Sequence, residues 1–220
     1  MIYLDHNATT PLLPEVWEAM QRVTFSAPGN PSSRHAAGRL ARKVLEDARE
    51  QIAEVLDAAP AEVIFTSGGT ESINLALRGL ASRRPGTIVL PPGEHSATTA
   101  VVAHLQQQGH PQQLLALTPE GELTAESLKG VDWEQASLAT LMYAHNETGV
   151  VQNLQPLRAL CESQRVPWHV DAVQAVGKLP VRFHELGCTA LSLGAHKIYG
   201  PRGIGALLVR REVSLPACLW

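Results

Sequence analysis

Lys197 lies in the most distinctive run of the sequence, SLGAHKIYGPRG at residues 192–203. Its amine is the side-chain group that forms imines with carbonyl compounds, including the aldehyde of pyridoxal phosphate. His196 directly precedes the lysine, and a turn rich in glycine and proline follows it. Taken alone, the run is compatible with a covalent site for a carbonyl compound and with a surface lysine beside a turn.

A glycine-rich turn lies upstream, in the sequence FTSGGTE at residues 65–71. It follows an apolar run that predicts a strand, and a helical pattern begins directly after it. Gly69 lets the backbone approach an anion, and the amides of the helix start and the Thr70 hydroxyl can donate to a phosphate. An ordinary capped turn is the alternative. The spacing is neither that of a Walker A loop nor that of a Rossmann G-x-G-x-x-G turn.

Two polar segments follow other predicted strands. His95 lies in GEHS at residues 93–96, where an imidazole can stack on a planar ring and carry protons. Asn146 lies in HNETG at residues 145–149 and offers a side-chain amide to a ligand oxygen. An exposed loop histidine is the alternative for His95, and the neighbouring Glu147 is more typical of a turn than of a catalytic base.

Asp171 closes a short apolar strand predicted at residues 168–170. A carboxylate in that position needs a partner. The protonated nitrogen of a pyridine ring would be one, because the ion pair keeps the ring an effective electron sink. Gln174 could reach the phenolic oxygen of the same ring, and His196 could help to hold the phosphate. A helix cap stays open as the role of Asp171.

Short apolar runs alternate with helical patterns, which predicts an α/β fold with a mainly parallel sheet and helices on both faces. The predicted strands cover residues 63–65, 87–90, 113–117, 138–143, 168–170, 190–193 and 204–209. The predicted helices cover residues 14–23, 33–56, 70–83, 96–108 and 154–165, with Ser32 or Ser33 as the cap of the second. All the polar segments named above follow predicted strands, and ligands of such sheets bind at the carboxyl ends of the strands.

The composition argues against several classes of function. The chain has 220 residues, is 45% hydrophobic and carries a net charge of −3 without a long basic run, which disfavours nucleic acid as a partner. No apolar run approaches the roughly 20 residues of a membrane span, and the opening residues lack the pattern of a secretory signal. Cys161, Cys188 and Cys218 form no metal or disulfide pattern, so we expect a cytoplasmic protein with reduced, buried thiols.

With these segments in place, the sequence resembles a cysteine desulfurase of the NifS/IscS group, in the class V aminotransferase superfamily of fold-type I pyridoxal-phosphate enzymes. The matching motifs are YLDHNATTP at residues 3–11, GNPSS at 29–33 with His35 and Gly38, residues 65–74, Glu94-His95, HNETG at 145–149, DAVQ at 171–174 and residues 196–205. The opening DHNATT is closer to the NifS/IscS branch than to the SufS branch.

The resemblance implies a three-layer pyridoxal-phosphate transferase fold. Residues 15–220 would form the cofactor-binding large domain, incomplete at its C-terminus, and residues 1–14 would belong to a small domain that is otherwise largely missing. Lys197 would bind pyridoxal 5'-phosphate covalently and act as the base at the substrate's alpha carbon, while His95 would stack on the ring and assist proton transfer. The other implied contacts are Asp171 at the ring nitrogen, Gln174 at the ring hydroxyl, Gly69, Thr70 and His196 at the phosphate, and Asn146 at the cofactor and the substrate carboxylate.

The implied activity converts L-cysteine to L-alanine and passes the sulfur to an enzyme cysteine as a persulfide, for iron–sulfur cluster assembly or thiolation. The implied partners are a second copy in a homodimer and a sulfur-acceptor or scaffold protein, without nucleic acid or a membrane. Two alternatives stay open. One is a selenocysteine lyase or another class V lyase, and the other is a non-catalytic half that binds the cofactor or a partner.

The sequence departs from the family pattern in two ways. Gly194 stands where the family often has a serine that contacts the phosphate. Family chains are also considerably longer, so we expect a Gly-Gly-Gly-Gln-Glu segment after Trp220, followed by the nucleophilic cysteine loop and an arginine for the substrate carboxylate. None of the three cysteines matches the family's nucleophile. A fragment, a truncated product and one half of a two-chain enzyme are all compatible with this pattern, and each should expose apolar surface.

Overall fold

One seven-stranded sheet organises residues 2–217, the part of the chain that the computed structural model describes. The strands are β1 Val63–Thr66, β2 Thr87–Leu90, β3 Gln112–Leu114, β4 Ala136–Met142, β5 Trp168–Asp171, β6 Ala190–Gly194 and β7 Gly205–Val209. Their order across the sheet is β1-β7-β6-β5-β4-β2-β3. Among the described strands, β7 alone runs antiparallel to its neighbours, and the other pairs are parallel. The prediction of a mainly parallel sheet is therefore confirmed.

Helices cover both faces of this sheet. They are α1 Pro14–Ser26, α2 Ala36–Val55, α3 Gly69–Ala81, α4 Ser96–Gln107, α5 Gln155–Gln164 and α6 Phe183–Leu186. α3 and α4 pack on one face, over a core that includes Leu77 and Val102. α2, α5 and α6 contribute to the core on the other face, which includes Leu157 and Phe183. The predicted three-layer α/β architecture is confirmed.

The two cores share the central strands because successive side chains of a strand point to opposite faces. Ile88 and Leu138 belong to the core under α3, whereas Val89 and Ala139 belong to the core on the other side. Every residue of β4 is buried. A parallel strand that is covered on both faces needs apolar side chains at both sets of positions, which is why such strands are continuous apolar runs in the sequence.

The cap of the second helix differs from the prediction. α2 begins at Ala36, and neither Ser32 nor Ser33 caps it. The His35 side chain does so, accepting a hydrogen bond from the Gly38 amide at 3.3 Å. An imidazole nitrogen thus replaces the hydroxyl oxygen that usually performs this role.

Several other element boundaries differ from the sequence-based prediction by a few residues. β3 ends at Leu114 instead of residue 117, and β5 includes Asp171. The sequence does not predict α6, because a helix of 4 residues is too short to show an amphipathic period. Within the described residues, every helix is too short or too polar to cross a bilayer.

The apolar stripe of α2 is only partly covered. Ala53 is buried, but Leu40 is 45% exposed and Val55 is 76% exposed. The stripe borders an apolar groove of about 350 Å³ between α2, β1 and the start of β7. α1 has no buried residue at all. Within residues 2–217, apolar surface is therefore exposed beside α1 and α2, whereas every residue of the last strand, β7, is buried.

A chain of buried polar side chains crosses the middle of the sheet. His169 Nδ1 lies 2.9 Å from the Thr140 hydroxyl, and His169 Nε2 lies 2.8 Å from Ser192 Oγ. Ser72 Oγ, in the first turn of α3, lies 2.7 Å from Ser192 Oγ and 3.0 Å from the Ala206 carbonyl. Burial lowers the pKa of His169 to about 3, so the neutral ring donates at one nitrogen and accepts at the other. These hydrogen-bonded side chains fix the start of α3 against β4, β5 and β6.

We predict that His169→Phe lowers the free energy of unfolding by about 2–4 kcal/mol, because it leaves the buried hydroxyls of Thr140 and Ser192 without their partner. Urea denaturation measures the change. His104→Phe is the matched control: His104 is exposed on α4, and its substitution should change stability by less than about 0.5 kcal/mol. Equally small changes in the two variants would contradict the stabilising role of the buried chain.

Candidate active site

One cavity brings together the residues that the sequence singles out. It has a volume of about 460 Å³ and lies at the carboxyl ends of the parallel strands. All eight predicted site residues line it: Gly69, Thr70, His95, Asn146, Asp171, Gln174, His196 and Lys197. The wall is completed by Asp5, Asn7, Ala8, Ile73, Met142, Glu147 and Val173. Residues that are far apart in sequence thus meet in one place, while the role of each stays a prediction.

The glycine-rich turn forms one end of the cavity. β1 ends at Thr66 and α3 begins at Gly69, so the N-terminus of a 13-residue helix borders the space. Gly68 has a φ of +152°, a conformation that residues with a side chain rarely adopt. Gly205 is equally constrained, because a Cβ there would lie 2.7 Å from the Gly68 Cα. The backbone at this end is therefore shaped for a close approach, and the free amides of the helix start favour an anion.

Gly194 stands beside this turn without a conformational need for glycine. Its φ of −138° and ψ of 128° are ordinary extended values. A Cβ at this position would lie 3.4 Å from the Gly69 amide nitrogen and 3.6 Å from the His196 ring. The end of the cavity beside the glycine-rich turn thus has room for one small side chain that this sequence does not supply.

Asp171 places a buried carboxylate at the end of β5. It is 3% exposed, and its Oδ1 accepts a hydrogen bond from the Val173 amide at 3.0 Å. Burial raises the pKa of Asp171, and the charges of His95 and Lys197 act in the opposite direction. A carboxylate in these surroundings gains most from a cation that enters the cavity.

His95 begins α4 and is held by its own helix. Its Nδ1 accepts a hydrogen bond from the Ala97 amide at 3.1 Å, which caps the helix. The neutral ring therefore carries its proton on Nε2. Since His95 is exposed and lines the cavity, that proton is available for transfer to a ligand.

A second buried carboxyl, that of Glu94, lies next to Asp171. Glu94 Oε1 accepts a hydrogen bond from the Met142 amide at 2.7 Å, and Met142 pairs with Asp171 across β4 and β5. Its Oε2 is buried without a hydrogen-bond partner among residues 2–217. Burial and, to a smaller extent, the charge of Asp171 together raise the pKa of Glu94 to about 8. Glu94 is therefore the carboxyl of this pair that keeps a proton at neutral pH.

The amine of Lys197 is held by the N-terminal segment. Lys197 Nζ donates hydrogen bonds to the carbonyls of Asn7 and Ala8, the latter at 2.9 Å. Burial lowers the pKa of Lys197, and the nearby charge of Lys178 contributes in the same direction. Both effects make the neutral amine, which is the form that attacks a carbonyl carbon, more accessible, while the charges of Asp171 and Asp5 favour the ammonium.

The same N-terminal segment is hydrogen-bonded to the loop around Lys197 through backbone and hydroxyl groups. The Thr10 amide donates to the His196 carbonyl at 2.8 Å, and the Tyr199 amide donates to Thr10 Oγ1 at 2.6 Å. Farther along, the Leu13 amide donates to the Tyr199 carbonyl at 3.1 Å. These contacts hold the segment against the lysine loop, and its residues Asp5, Asn7 and Ala8 line the cavity. Whether residues 1–14 belong to a separate small domain stays a prediction.

Sequence reasoning misses several residues of the site. Asn7 and Ala8 act through backbone carbonyls, which no pattern of side chains reveals. Asn7 also donates from Nδ2 to the Asn146 carbonyl at 2.9 Å, a link between distant loops. Glu94 has a signal that could have been read, since it lies beside His95 in the loop that follows the strand predicted at residues 87–90.

The described cysteines are structural. Cys161 and Cys188 are buried and unpaired, and burial raises the pKa of each thiol to about 12. Such thiols are inert as nucleophiles at neutral pH. Cys218 lies outside the described residues. Within residues 2–217, His, Cys, Asp and Glu form no group that could hold a metal ion.

Comparison with known proteins identifies relatives along the whole described chain. A family model described as aminotransferase class-V matches residues 2–217. The cysteine desulfurase IscS of Aeromonas salmonicida strain A449 is 44% identical over 217 residues, which cover 96% of this chain and 54% of that relative. The chain thus spans about half the length of the curated relatives it matches.

Solved structures give the same grouping. A NifS-like protein superposes with a TM-score of 0.95 at 35% identity, over 99% of this chain and 61% of that one. A structure described as SspA in complex with cysteine also has a TM-score of 0.95, at 32% identity, over 100% of this chain and 65% of that one. The resemblance to the NifS/IscS group is confirmed.

We predict that Glu94→Gln flattens the dependence of stability on pH. Native Glu94 keeps its proton up to a pKa of about 8, whereas the unfolded residue releases it near its ordinary value of 4.5. The unfolded state therefore binds fewer protons between these values, and stability falls as pH rises through this window. Between pH about 5 and about 8, the free energy of unfolding should fall less in the variant than in the wild type, by at least about 1 kcal/mol.

Urea denaturation at the two pH values measures this difference. The raised pKa of Asp171 leaves a residual slope of the same sign in both proteins. Glu134→Gln, at an exposed position, is the matched control and should keep the wild-type slope. Identical slopes in wild type and Glu94→Gln would show that Glu94 is ionised in the folded protein.

Proposed function

Because the chain belongs to the aminotransferase class-V family, we propose that it binds pyridoxal 5'-phosphate and forms the cofactor-binding part of a cysteine desulfurase. The observation that carries the proposal is the convergence of a lysine amine, a buried carboxylate and a helix N-terminus on one cavity of about 460 Å³. Each of these groups would bind a different part of the cofactor: the amine its aldehyde, the carboxylate its ring nitrogen and the helix N-terminus its phosphate.

The donor set of the cavity fits this cofactor. The N-terminus of α3 with Thr70 and His196 would hold the phosphate, and the buried carboxylate of Asp171 would pair with the protonated ring nitrogen. Lys197 would provide the covalent attachment, and Gln174 would contact the ring oxygen. When bound, the cofactor supplies an electron sink for the bonds at the alpha carbon of an amino acid.

The protein's own residues would move the protons. Lys197, whose pKa is lowered by burial, would accept the proton of the substrate's alpha carbon at Nζ. His95 would stack on the ring and donate its Nε2 proton. Asn146 would orient the substrate carboxylate through its side-chain amide. Asp171 would stay ionised because a protonated Glu94 adds no second negative charge near it.

The proposed substrate is L-cysteine. The solved structure described as SspA in complex with cysteine, which is similar over all of this chain, supports that class of ligand. In the balanced reaction, the carbon–sulfur bond of cysteine breaks, and a thiol takes the sulfur as a persulfide while L-alanine leaves. Cys161 and Cys188 are unsuited to that role because burial raises the pKa of each to about 12. The accepting thiol therefore lies outside residues 2–217.

The remaining assignments follow the IscS-like relatives. We propose a homodimer, because the half-covered stripe of α2 and the exposed α1 leave apolar surface for a second copy. We also propose a cytoplasmic location and a sulfur-acceptor or scaffold partner that uses the persulfide sulfur for iron–sulfur cluster assembly. Residues 15–220 would form the large domain, and residues 1–14 would belong to the small domain.

A cofactor-binding half without catalysis is the second candidate. The absence of a reactive thiol within residues 2–217 favours it for this chain taken by itself. The two candidates agree on cofactor binding and differ on whether L-cysteine is desulfurated.

We predict that the purified chain turns yellow with pyridoxal 5'-phosphate and that Lys197→Ala abolishes the colour. Borohydride reduction and peptide mass analysis should locate the cofactor on Lys197. Lys129→Ala, at a surface lysine paired with Glu126, is the control and should retain the colour. Sulfide and alanine production from L-cysteine with a reductant then separates the two candidates. A colourless wild-type protein would contradict both.

We predict that Gly194→Ser tightens cofactor binding about three- to tenfold, the effect of one added hydrogen bond of typical strength. The backbone there is ordinary, and a Cβ would lie 3.4 Å from the Gly69 amide nitrogen, so the hydroxyl would enter the phosphate end without strain. Titration of the visible absorbance measures the dissociation constant. Gly130→Ser, at a glycine with open space around it, should have no effect. Unchanged or weaker binding in Gly194→Ser would place the phosphate elsewhere.

A further inference from the structure

The Gln174 side chain is bound at both ends of its amide. Its Oε1 accepts a hydrogen bond from Lys178 Nζ at 2.6 Å, and its Nε2 donates to the Asn7 carbonyl at 2.8 Å. Gln174 is 8% exposed and lines the cavity, whereas Lys178 lies on the surface and is not part of the wall. A surface lysine is thus connected to the candidate active site through one buried amide.

These two partners allow only one orientation of the amide. An ammonium group has donors and no acceptor, so the amide oxygen must face Lys178. A carbonyl has no donor, so the NH₂ group must face Asn7 and the cavity. Gln174 and Lys178 lie in one turn, in which the Lys178 amide donates to the Ala175 carbonyl at 3.0 Å and Gly177 has a φ of +76°.

A second donor reaches the same acceptor. Lys197 Nζ also donates to the Asn7 carbonyl, so two N–H donors from different loops converge on a single oxygen. The position beside Lys197 and Gln174 is therefore built for an atom that accepts hydrogen bonds.

We propose that Lys178 is a positioning residue of the site: its ammonium holds the Gln174 amide so that the cavity meets an N–H donor instead of the amide oxygen. A ligand atom at that position must then be an acceptor. The identity of this ligand rests on the proposed function. For pyridoxal 5'-phosphate, the fixed amide would favour the deprotonated ring oxygen over the protonated one.

Substitutions that change the hydrogen-bonding groups of residue 178 test this role. Lys178→Arg keeps donors only and should retain wild-type affinity for pyridoxal 5'-phosphate. Lys178→Met removes the restraint and should weaken affinity about threefold, since an exposed ammonium contributes little more than one modest hydrogen bond. Lys178→Glu attracts the NH₂ group, turns the amide oxygen towards the cavity and should weaken affinity about tenfold or more. Lys129→Glu is the control for surface charge.

A double-mutant cycle separates positioning from simple attraction between charges. In a Gln174→Ala background, the substitutions at Lys178 should have no further effect on affinity, because the amide through which the lysine acts is absent. Undiminished effects in that background would show that the ammonium attracts the cofactor directly, and this would overturn the proposal. Equal affinity of wild type, Lys178→Met and Lys178→Glu would overturn it as well.

A measurement without cofactor tests the same orientation independently of the proposed function. In Lys178→Glu, the Gln174 amide should release the Asn7 carbonyl, and amide hydrogen exchange in residues 5–10 should become severalfold faster, as in Gln174→Ala. Lys178→Arg should exchange like the wild type. Unchanged exchange in Lys178→Glu would overturn the proposal. Failure of the wild type to bind the cofactor would overturn only the proposed function, because the exchange comparison would still decide the role of Lys178.

Discussion

The burial of the Asp171 carboxylate is the constraint on which the rest of the site depends. No salt bridge among residues 2–217 includes this group, and its pKa is raised by burial. A buried, ionised carboxylate without a paired cation destabilises a protein by several kcal/mol. The carboxylate can stay buried only if the backbone that carries it is held rigidly. β5 supplies this rigid backbone, because this strand is paired on both sides, with β4 and with β6.

A second carboxyl shows how the protein limits this cost. Glu94 and Asp171 lie at neighbouring strand ends, and two buried carboxyls at short range do not both ionise. Asp171 is the carboxyl that ionises more readily, since the charges of His95 and Lys197 lower its pKa. Glu94 has only the backbone amide of Met142 as a stabilising contact among the described residues. The pair therefore carries one negative charge, located at the wall of the cavity. A single cationic ligand is enough to neutralise it.

The sequence predicts the parts of the site that combine a strand end with a distinctive side chain. Thr70, His95, Asp171 and Lys197 follow apolar runs, and parallel strands necessarily bring such positions together. It does not predict the part formed by residues 5–13, because backbone carbonyls act whatever side chains they carry. The same limit applies to α2. Its apolar stripe is evident in the sequence, but periodicity cannot tell whether the described chain or another surface covers it.

The N-terminal segment links Gln174 to the lysine loop. Its Asn7 carbonyl accepts from Gln174 and from Lys197, so a peptide oxygen satisfies both donors in the protein as described. A cofactor whose ring oxygen lies next to its aldehyde would satisfy the same two donors, and the peptide oxygen would then have to give way. Under the proposed function, loading of the cofactor would therefore compete with the Asn7 carbonyl, because one pair of N–H donors cannot fully serve both acceptors. The contacts of Thr10 with the lysine loop involve different atoms, so they can hold the rest of the segment in place during this exchange.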